Sequence, residues 1–297
     1  MNGTSLRQER TVPDFATVMS PTVMMWCCGR TMTTVRKGYV DTDEGQIHYR
    51  YAGQPGDDPP LVLLHQNTSS SDMFTEAMEA FDGNRYVVAP DTPGSGLSDD
   101  PEHVPAISYY ARALTHALDV LGIGSFHVCG HHTGASIAAE MATADSDRIR
   151  SVSFSGPPYL TENERAEFRR SYNSADSVPP LDDEGEYLLY HWNNHAKMGG
   201  DADVELRHRQ IVDALLARES IARTYGIIWE QDFMRHFEDI TVPRMIMCAT
   251  DDVLWDAFER ARHEHPDVRA TELDGGNYAP LRDAATFATA LRSFVEK

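Results

Sequence analysis

The segment from Ser125 to Met141 strongly constrains how this chain folds. A short apolar run, Phe126 to Cys129, contains β-branched, aromatic and small residues without a helical period, which predicts a buried strand. The pentapeptide GHHTG at 130–134 follows directly, and the residues from Ala135 to Met141 are strong helix formers. The sequence therefore predicts a strand, a tight turn and a helix with no linker between them.

The turn has the spacing of the G-x-S-x-G frame. In that frame two glycines permit a sharp strand-to-helix turn, the nucleophile elbow, and the central side chain is held at its apex. Here the apex residue is His132, so no hydroxyl stands at that position. Thr133 would present its backbone N–H at the start of the helix, where developing negative charge is stabilised. The same five residues also fit an ordinary glycine-rich turn, so the rest of the chain decides the meaning of the pattern.

Short apolar runs alternate with helical patterns, which predicts βαβ units and a mostly parallel sheet covered by helices on both faces. The predicted strands are 61–64, 86–90, 126–129, 149–155, 244–249 and 268–273, and a hairpin over 38–52 precedes them. The predicted helices are 72–81, 107–121, 162–170, 186–195, 204–218, 255–264 and 280–296. The alternation pauses over the polar, acidic segment 157–239. We interpret this segment as a helical cap inserted between two core segments, 32–156 and 240–297.

The net charge and the cysteine content limit the partners and the compartment. A net charge of −20 at pH 7 disfavours nucleic acid and anionic membranes, because both would be repelled. The four cysteines are too few for a disulfide framework at this length, so we expect a reducing, cytoplasmic compartment. No apolar run approaches the roughly 20 residues that span a bilayer. Residues 1–31 lack the pattern of a signal peptide and are interpreted as a poorly ordered extension upstream of Met32.

Five motifs resemble those of the α/β-hydrolase superfamily in order and spacing over 38–297. They are His65-Gln66 after an apolar strand, DTPGSGLSD at 91–99, GHHTG, Asp251-Asp252 after a strand, and GGNYAP at 275–280. The resemblance implies an α/β-hydrolase fold with an inserted helical cap. It also implies a nucleophile at the elbow, an acid after the penultimate core strand and a histidine before the last helix. In this sequence those positions are held by His132, Asp252 and Asn277, and Asp251 is the alternative acid.

Two of the three catalytic side chains that the resemblance implies are therefore replaced. Serine hydrolysis needs a hydroxyl nucleophile and an imidazole that accepts its proton, so we do not expect the ordinary serine-esterase mechanism. The oxyanion hole that the fold implies consists of the backbone N–H groups of Gln66 and Thr133. The His132 imidazole could reach into the space that the smaller Asn277 leaves and pair with Asp252. It could then act as a general base, because the pKa of an imidazole in peptides is about 6.5.

These residues predict an enzyme that acts on a small carbonyl compound. A base that faces an oxyanion hole suits proton abstraction next to a carbonyl, as in elimination, decarboxylation, isomerisation or cyclisation, and we prefer this non-hydrolytic chemistry. The alternative is ester or lactone hydrolysis, with His132 as the base that activates water or as the nucleophile. A third interpretation is a ligand-binding protein without turnover.

Other chemistry-bearing residues have weaker signals. Further candidates for the substrate pocket are His65, Tyr187, His191, Trp192 and Tyr278. His131 is interpreted as a structural hydrogen-bonding residue. His191 and His195 are four residues apart, but no third ligand is evident and the HExxH pattern is absent, so we predict no metal site. Phosphate-loop and dinucleotide motifs are absent too, so we predict no cofactor. The expected partner is a small-molecule substrate, and the oligomeric state is left open.

Overall fold

The computed structural model of the chain describes residues 33–81, 83, 85–104, 106–172, 180–196 and 203–296. The interpretation of residues 1–31 as an extension lies outside this described part. Within it, no helix combines the length and the apolar character needed to cross a membrane.

One mixed sheet forms the centre of the described chain. Its strands are β1 (Arg36–Thr42), β2 (Gly45–Ala52), β3 (Leu61–Leu64), β4 (Val87–Pro90), β5 (Phe126–His131), β6 (Ile149–Ser155), β7 (Arg244–Ala249) and β8 (Arg269–Leu273). In space the eight strands follow the order β1-β2-β4-β3-β5-β6-β7-β8. The β1–β2 and β2–β4 pairs are antiparallel, and the remaining pairs are parallel. The predicted fold class, a mostly parallel sheet flanked by helices, is confirmed.

Both faces of the sheet are covered, as the continuous apolar runs predict. Successive side chains of a strand point to opposite faces. Along β3, Leu61 and Leu63 accordingly join one apolar cluster, which also contains Phe287, whereas Val62 and Leu64 join the other. All four β3 side chains are fully buried, which explains why this strand lacks a polar–apolar alternation.

Ten α-helices lie in the described residues. They are α1 (Thr75–Ala80), α2 (Ile107–Val120), α3 (Thr133–Ala144), α4 (Glu162–Tyr172), α5 (Glu186–His195), α6 (Val204–Ile228), α7 (Phe233–Asp239), α8 (Trp255–Glu264), α9 (Ala279–Arg282) and α10 (Ala284–Val295). Helix α6 continues ten residues beyond the predicted end at 218, because Ile221, Thr224 and Ile228 extend its buried side. The predicted closing helix over 280–296 is divided at Asp283, whose φ of −121° and ψ of 42° leave the helical region.

Helices α4 to α7 lie between β6 and β7 and are called the insertion helices below. Two of them are tied to the sheet and its flanking helices. The Phe233 and Phe237 rings of α7 lie 5.1 and 5.7 Å from the ring of Phe154 in β6. The hydroxyls of Tyr110 in α2 and Thr224 in α6 are 2.9 Å apart and hydrogen-bonded. Helix α6 is therefore held against the core close to the ends of the strands.

The carboxyl ends of five strands converge on one edge of the sheet. Gln66 follows β3, His132 follows β5, Gly156 follows β6, Asp252 follows β7 and Asn277 follows β8. Because parallel strands end at the same edge, ligands of open α/β sheets bind outside these carboxyl ends. The topology thus brings together residues that are far apart in the sequence.

Candidate functional site

The turn between β5 and α3 holds His132 in a strained backbone conformation. Its φ is 48° and its ψ is −109°, a region that non-glycine residues rarely adopt. The two glycines of the motif are required by close backbone packing. A Cβ on Gly130 would collide with the carbonyl of Gly134, and a Cβ on Gly134 would collide with the carbonyl of Leu64. The local sequence therefore presents a histidine side chain at the apex of the elbow.

The imidazole of His132 is paired with the carboxylate of Asp252. His132 Nε2 lies 2.8 Å from Asp252 Oδ2, and the two side chains are 15% and 1% exposed. The other carboxylate oxygen, Oδ1, accepts the backbone N–H of Leu254 at 2.8 Å. Burial alone would raise the pKa of Asp252, but the charge and hydrogen bond of His132 hold it below its ordinary value. An ionised carboxylate accepts only, so Nε2–H donates to it.

This tautomer leaves a lone pair on the other ring nitrogen of His132, Nδ1. Among the described residues, Nδ1 has no hydrogen-bond partner. It is the ring nitrogen nearer to the backbone, two bonds from Cβ, and His132 lines a pocket. The pair therefore presents an unprotonated nitrogen near the apex of the elbow, with a buried carboxylate behind it.

Two further residues of the described pocket lining carry backbone N–H groups without a protein acceptor. Gln66 and Thr133 both line it, and Thr133 is the first residue of α3. In the described chain, neither N–H donates to a protein acceptor. Unpaired donors at a helix N-terminus and a strand end are the arrangement that stabilises an oxyanion.

Sequence reasoning missed Gly156, which makes room for the imidazole. Its φ is +58°, and an added Cβ would overlap the ring of His132, 2.5 Å from Nε2. Its backbone N–H donates to Met247 O at 2.8 Å, which fixes this close approach. The only signal in the sequence is a glycine at the end of a predicted strand, which by itself indicates nothing more than a turn.

The neighbouring residue His131 has a structural environment. Its Nε2–H donates to the backbone carbonyl of Asn277 at 3.0 Å, and its Nδ1 accepts the hydroxyl of Ser155 at 3.0 Å. Burial, reinforced by His132, lowers the pKa of His131 to about 3, so the ring is neutral at physiological pH. The Asn277 side chain accepts the backbone N–H of Val253 through Oδ1 at 3.0 Å.

The two aspartates after β7 have different surroundings. Asp252 faces His132, whereas Asp251 is exposed and accepts the backbone N–H of Gly276 at 2.8 Å. The structure thus distinguishes the two candidate acids, because only Asp252 contacts the imidazole.

The first of the additional pocket candidates, His65, lies beneath the site. It is 2% exposed. Its Nδ1–H donates to Gln66 O at 2.7 Å, and its Nε2 accepts the N–H of Thr92 at 2.9 Å. Burial lowers the pKa of His65 from its ordinary value. The ring holds the strand end that carries Gln66, and it is not among the described residues that line the pocket.

The other four candidates are also outside the described lining of the pocket. They are Tyr187, His191, Trp192 and Tyr278. The hydroxyl of Tyr278 is 3.0 Å from Nδ1 of His195, which attaches α5 to the loop after β8. The guanidinium of Arg207 lies over Trp192, with its Cζ 4.7 Å from the centroid of the indole ring. In the described chain, no three His, Cys, Asp or Glu side chains form a group that could hold a metal ion.

The loop after β3 is attached to α6 at two points. Asn67 Nδ2 donates to Ile221 O at 3.1 Å, and Ser70 Oγ donates to Asp213 Oδ1 at 2.9 Å. Burial, with the nearby carboxylates of Asp72 and Asp91, raises the pKa of Asp213 to about 7. The conformation of the loop that carries Gln66 is therefore tied to α6.

Replacing Asp213 by asparagine is expected to stabilise the protein above pH 7. Because the folded-state pKa exceeds the ordinary value of 3.8, wild-type stability falls as pH rises from about 4 to about 7 and then levels off. The asparagine side chain keeps an acceptor for Ser70 and removes this slope, with a gain on the order of 2 kcal/mol at pH 8. Urea unfolding at pH 5 and pH 8 measures it. Asp267 is exposed, so Asp267→Asn is the control. An equal gain in stability at both pH values would contradict the raised pKa of Asp213.

A family model described as alpha/beta hydrolase fold matches residues 59–177. Haloalkane dehalogenase 2 from Mycobacterium tuberculosis is 31% identical over 115 residues, which are 38% of this chain and 39% of that protein. The chain thus spans about two fifths of the length of this curated relative. An uncharacterised hydrolase from Saccharomyces cerevisiae is 29% identical over 265 residues, 80% of this chain and 89% of the relative.

The solved structure of the enol-lactonase from Burkholderia xenovorans LB400 is similar, with a TM-score of 0.65 and 19% identity. The match covers 88% of this chain and 100% of that one. At this level of identity the likeness shows the fold. The family model and this structural neighbour agree with the mostly parallel, helix-flanked sheet described above.

Proposed function

Because the chain belongs to the α/β-hydrolase superfamily, we propose that it is an enzyme for a small carbonyl substrate in which a His132–Asp252 pair is the general base. The observation that carries this proposal is the hydrogen bond of 2.8 Å between His132 Nε2 and Asp252 Oδ2. It orients the imidazole and stabilises the imidazolium that forms when Nδ1 takes a proton. No hydroxyl stands at the elbow apex to serve as nucleophile.

The preferred reaction begins with proton abstraction from the carbon next to the carbonyl. Nδ1 of His132 takes the proton, the C–H electrons form a C=C bond, and the carbonyl π electrons move to oxygen. The N–H groups of Gln66 and Thr133 are proposed to stabilise the resulting enolate, where each preorganised donor is typically worth about 2.7–4 kcal/mol. The imidazolium then returns the proton to another carbon of the enolate, which completes isomerisation, or to a leaving group as its bond to the β-carbon breaks, which completes elimination. In cyclisation the enolate carbon instead attacks a second carbonyl carbon of the same substrate, and the imidazolium protonates the resulting alkoxide.

Hydrolysis of an ester or lactone is the second candidate. It is supported by the hydrolase relative that matches most of this chain and by the enol-lactonase of the same fold. Nδ1 would take a proton from water while the water oxygen attacks the carbonyl carbon, and the imidazolium would then protonate the alkoxide as its C–O bond breaks. Alternatively, Nδ1 would itself attack that carbon and expel the alkoxide, and water would then cleave the acyl-imidazole. The same N–H groups would stabilise the tetrahedral oxyanion.

Isotope labelling separates these reactions in one set of incubations. A panel of simple ketones, enol lactones and activated esters is incubated with wild-type protein in D2O, and in parallel in H2 18O. Deuterium at the carbon next to an intact carbonyl indicates proton abstraction. A single 18O in a carboxylic acid product, above the buffer reaction, indicates hydrolysis. Ligands that raise the melting temperature without either label would contradict catalysis and favour a ligand-binding protein.

A further inference from the structure

Four aromatic side chains of the insertion form one wall of the pocket around His132. Phe168 and Tyr172 belong to α4, Tyr225 belongs to α6, and Trp229 follows α6 directly. The Phe168 and Trp229 centroids are 4.9 Å apart, and the Tyr172 and Tyr225 centroids are 5.7 Å apart. The planes of Tyr225 and Trp229 are within 4° of parallel at 6.4 Å. We call these four residues the aromatic wall.

Beyond Gln66, His132, Thr133 and the aromatic wall, the described lining consists of Pro158, Ile228, Val253, Leu254 and Asn67. The Asn67 side chain already donates to Ile221 O, and the other four are apolar. No Asp, Glu, Lys or Arg side chain is among the described residues that line the pocket. A charged group placed there would lose its hydration without gaining a counter-charge, since the Asp252 carboxylate is already paired with His132. The lining therefore favours an uncharged occupant.

The cavity is narrow in this structure. Its volume is about 40 Å³, roughly three times the ~10–15 Å³ that one enclosed water requires, so an aryl group enters only if side chains of the aromatic wall move apart. The aromatic rings already contact each other in edge and stacked pairs, so a flat ring that enters between them replaces one aromatic contact by another. A bulky saturated group would have to separate the rings without such compensation.

Trp229 has a second property that points toward a ligand. Its side chain is buried, with 8% of the residue exposed, and its indole N–H has no hydrogen-bond acceptor in the described protein. A buried donor without a partner costs about 1–3 kcal/mol. The ring is therefore held in the wall by packing alone, next to the space that an occupant would fill.

We propose that the aromatic wall binds an uncharged aryl group of the substrate and directs the attached carbonyl toward the N–H groups of Gln66 and Thr133. The proposal rests on the proposed function, because it names the substrate class of the same site. It goes further by selecting aryl carbonyl compounds over saturated, cationic and anionic ones. Aromatic walls also bind organic cations through cation–π contacts, and the test below includes that outcome.

The test measures binding of unreactive amides by isothermal titration calorimetry. Benzamide is compared with cyclohexanecarboxamide, with the pyridinium cation 1-methylnicotinamide and with the anion terephthalamate, which share the carboxamide and a six-membered ring. We expect benzamide to bind about tenfold more tightly than each of the others, which corresponds to about 1.4 kcal/mol and to one or two aromatic contacts. The proposal is overturned if benzamide binds no more tightly than cyclohexanecarboxamide, 1-methylnicotinamide or terephthalamate.

Variants of the aromatic wall test whether its residues cause the preference for benzamide. Trp229→Leu is expected to reduce the preference for benzamide over cyclohexanecarboxamide to less than threefold, whereas Trp229→Phe, which keeps a ring, retains most of it. Trp192→Leu is the matched control, because Trp192 lies on α5 outside the described lining. If Trp229→Leu is unfolded by circular dichroism, Phe168→Leu takes its place. An unchanged preference in the folded variant would overturn the assignment to the aromatic wall.

The same titrations in His132→Ala distinguish this proposal from the proposed function. Binding of benzamide does not require proton transfer, so the preference is expected to persist in that variant. A protein that binds benzamide selectively but gives no isotope label contradicts catalysis and leaves the aromatic wall supported. A protein that gives a label but has no aryl preference contradicts only the aromatic wall.

Discussion

Replacing His132 by alanine is expected to lower turnover of any substrate found in the labelling panel by about 10²–10⁴-fold, the usual contribution of a general base. The loss should fall on kcat, because the imidazole acts on the reacting proton and the rest of the pocket lining remains. His132→Gln, which keeps polarity and approximate length but cannot accept a proton at neutral pH, should lose as much. Steady-state kinetics at pH 7.5 measure the effect.

The exposed His263 in α8 provides the matched control, and His263→Ala should keep wild-type turnover. Asp252→Asn should also lower kcat, because the asparagine amide no longer stabilises the imidazolium or selects the tautomer with its lone pair on Nδ1. Turnover of His132→Ala within about threefold of wild type would place the base elsewhere and remove the central observation of the proposed function.

Replacing Gly156 by alanine is expected to cause the second large effect, on both stability and activity. The added methyl group would overlap the imidazole of His132, and the backbone has a φ of +58°. Left-handed strain costs roughly 1–2 kcal/mol and the overlap about 1–3 kcal/mol more. Displacing the ring by about 1 Å from Asp252 would reduce turnover on the order of 10²-fold. Urea unfolding and kinetics of the variant measure the two effects.

A double variant separates the backbone strain from the collision. In the His132→Ala background the ring is absent, so Gly156→Ala should cost only the left-handed strain, about 1–2 kcal/mol. Gly122→Ala is a matched control, because Gly122 has a φ of +75° and open space around its Cβ position. Equal costs of Gly156→Ala in both backgrounds would show that the collision with His132 does not occur.

Several parts of the architecture could be predicted because they depend on local rules. The continuous apolar runs of β3 and β5 predict strands buried on both faces, and the glycines at 130 and 134 predict the sharp turn between β5 and α3. Together with motif order, these patterns predicted the superfamily and the mostly parallel sheet, and the structure and the family match confirmed both. The end of α6 lies ten residues beyond the predicted one, because the helix continues through Gly226 while Ile221, Thr224 and Ile228 stay buried.

In the candidate site too, local motifs identify some residues, whereas the fold decides between others. Positions that occupy motif frames, such as His132 and Asp252, could be named from the sequence because chain order and spacing identify the strand ends that hold them. The sequence left the choice between Asp251 and Asp252 open, and geometry separates them, since only one of two adjacent side chains faces the imidazole. Their catalytic roles stay predictions until the variants are measured.

The order of the elements and the identity of the residues at the ends of the strands follow from the sequence. Long-range packing, seen only in the folded chain, gives the imidazole its space at Gly156, brings Asp213 to Ser70 and assembles the aromatic wall from α4, α6 and the residue after α6. Phe168 and Tyr172, like Tyr225 and Trp229, are four residues apart, a spacing typical of any helix face. Such periodicity tells which side chains share a face, but the partner of that face depends on long-range packing, which local sequence patterns do not encode.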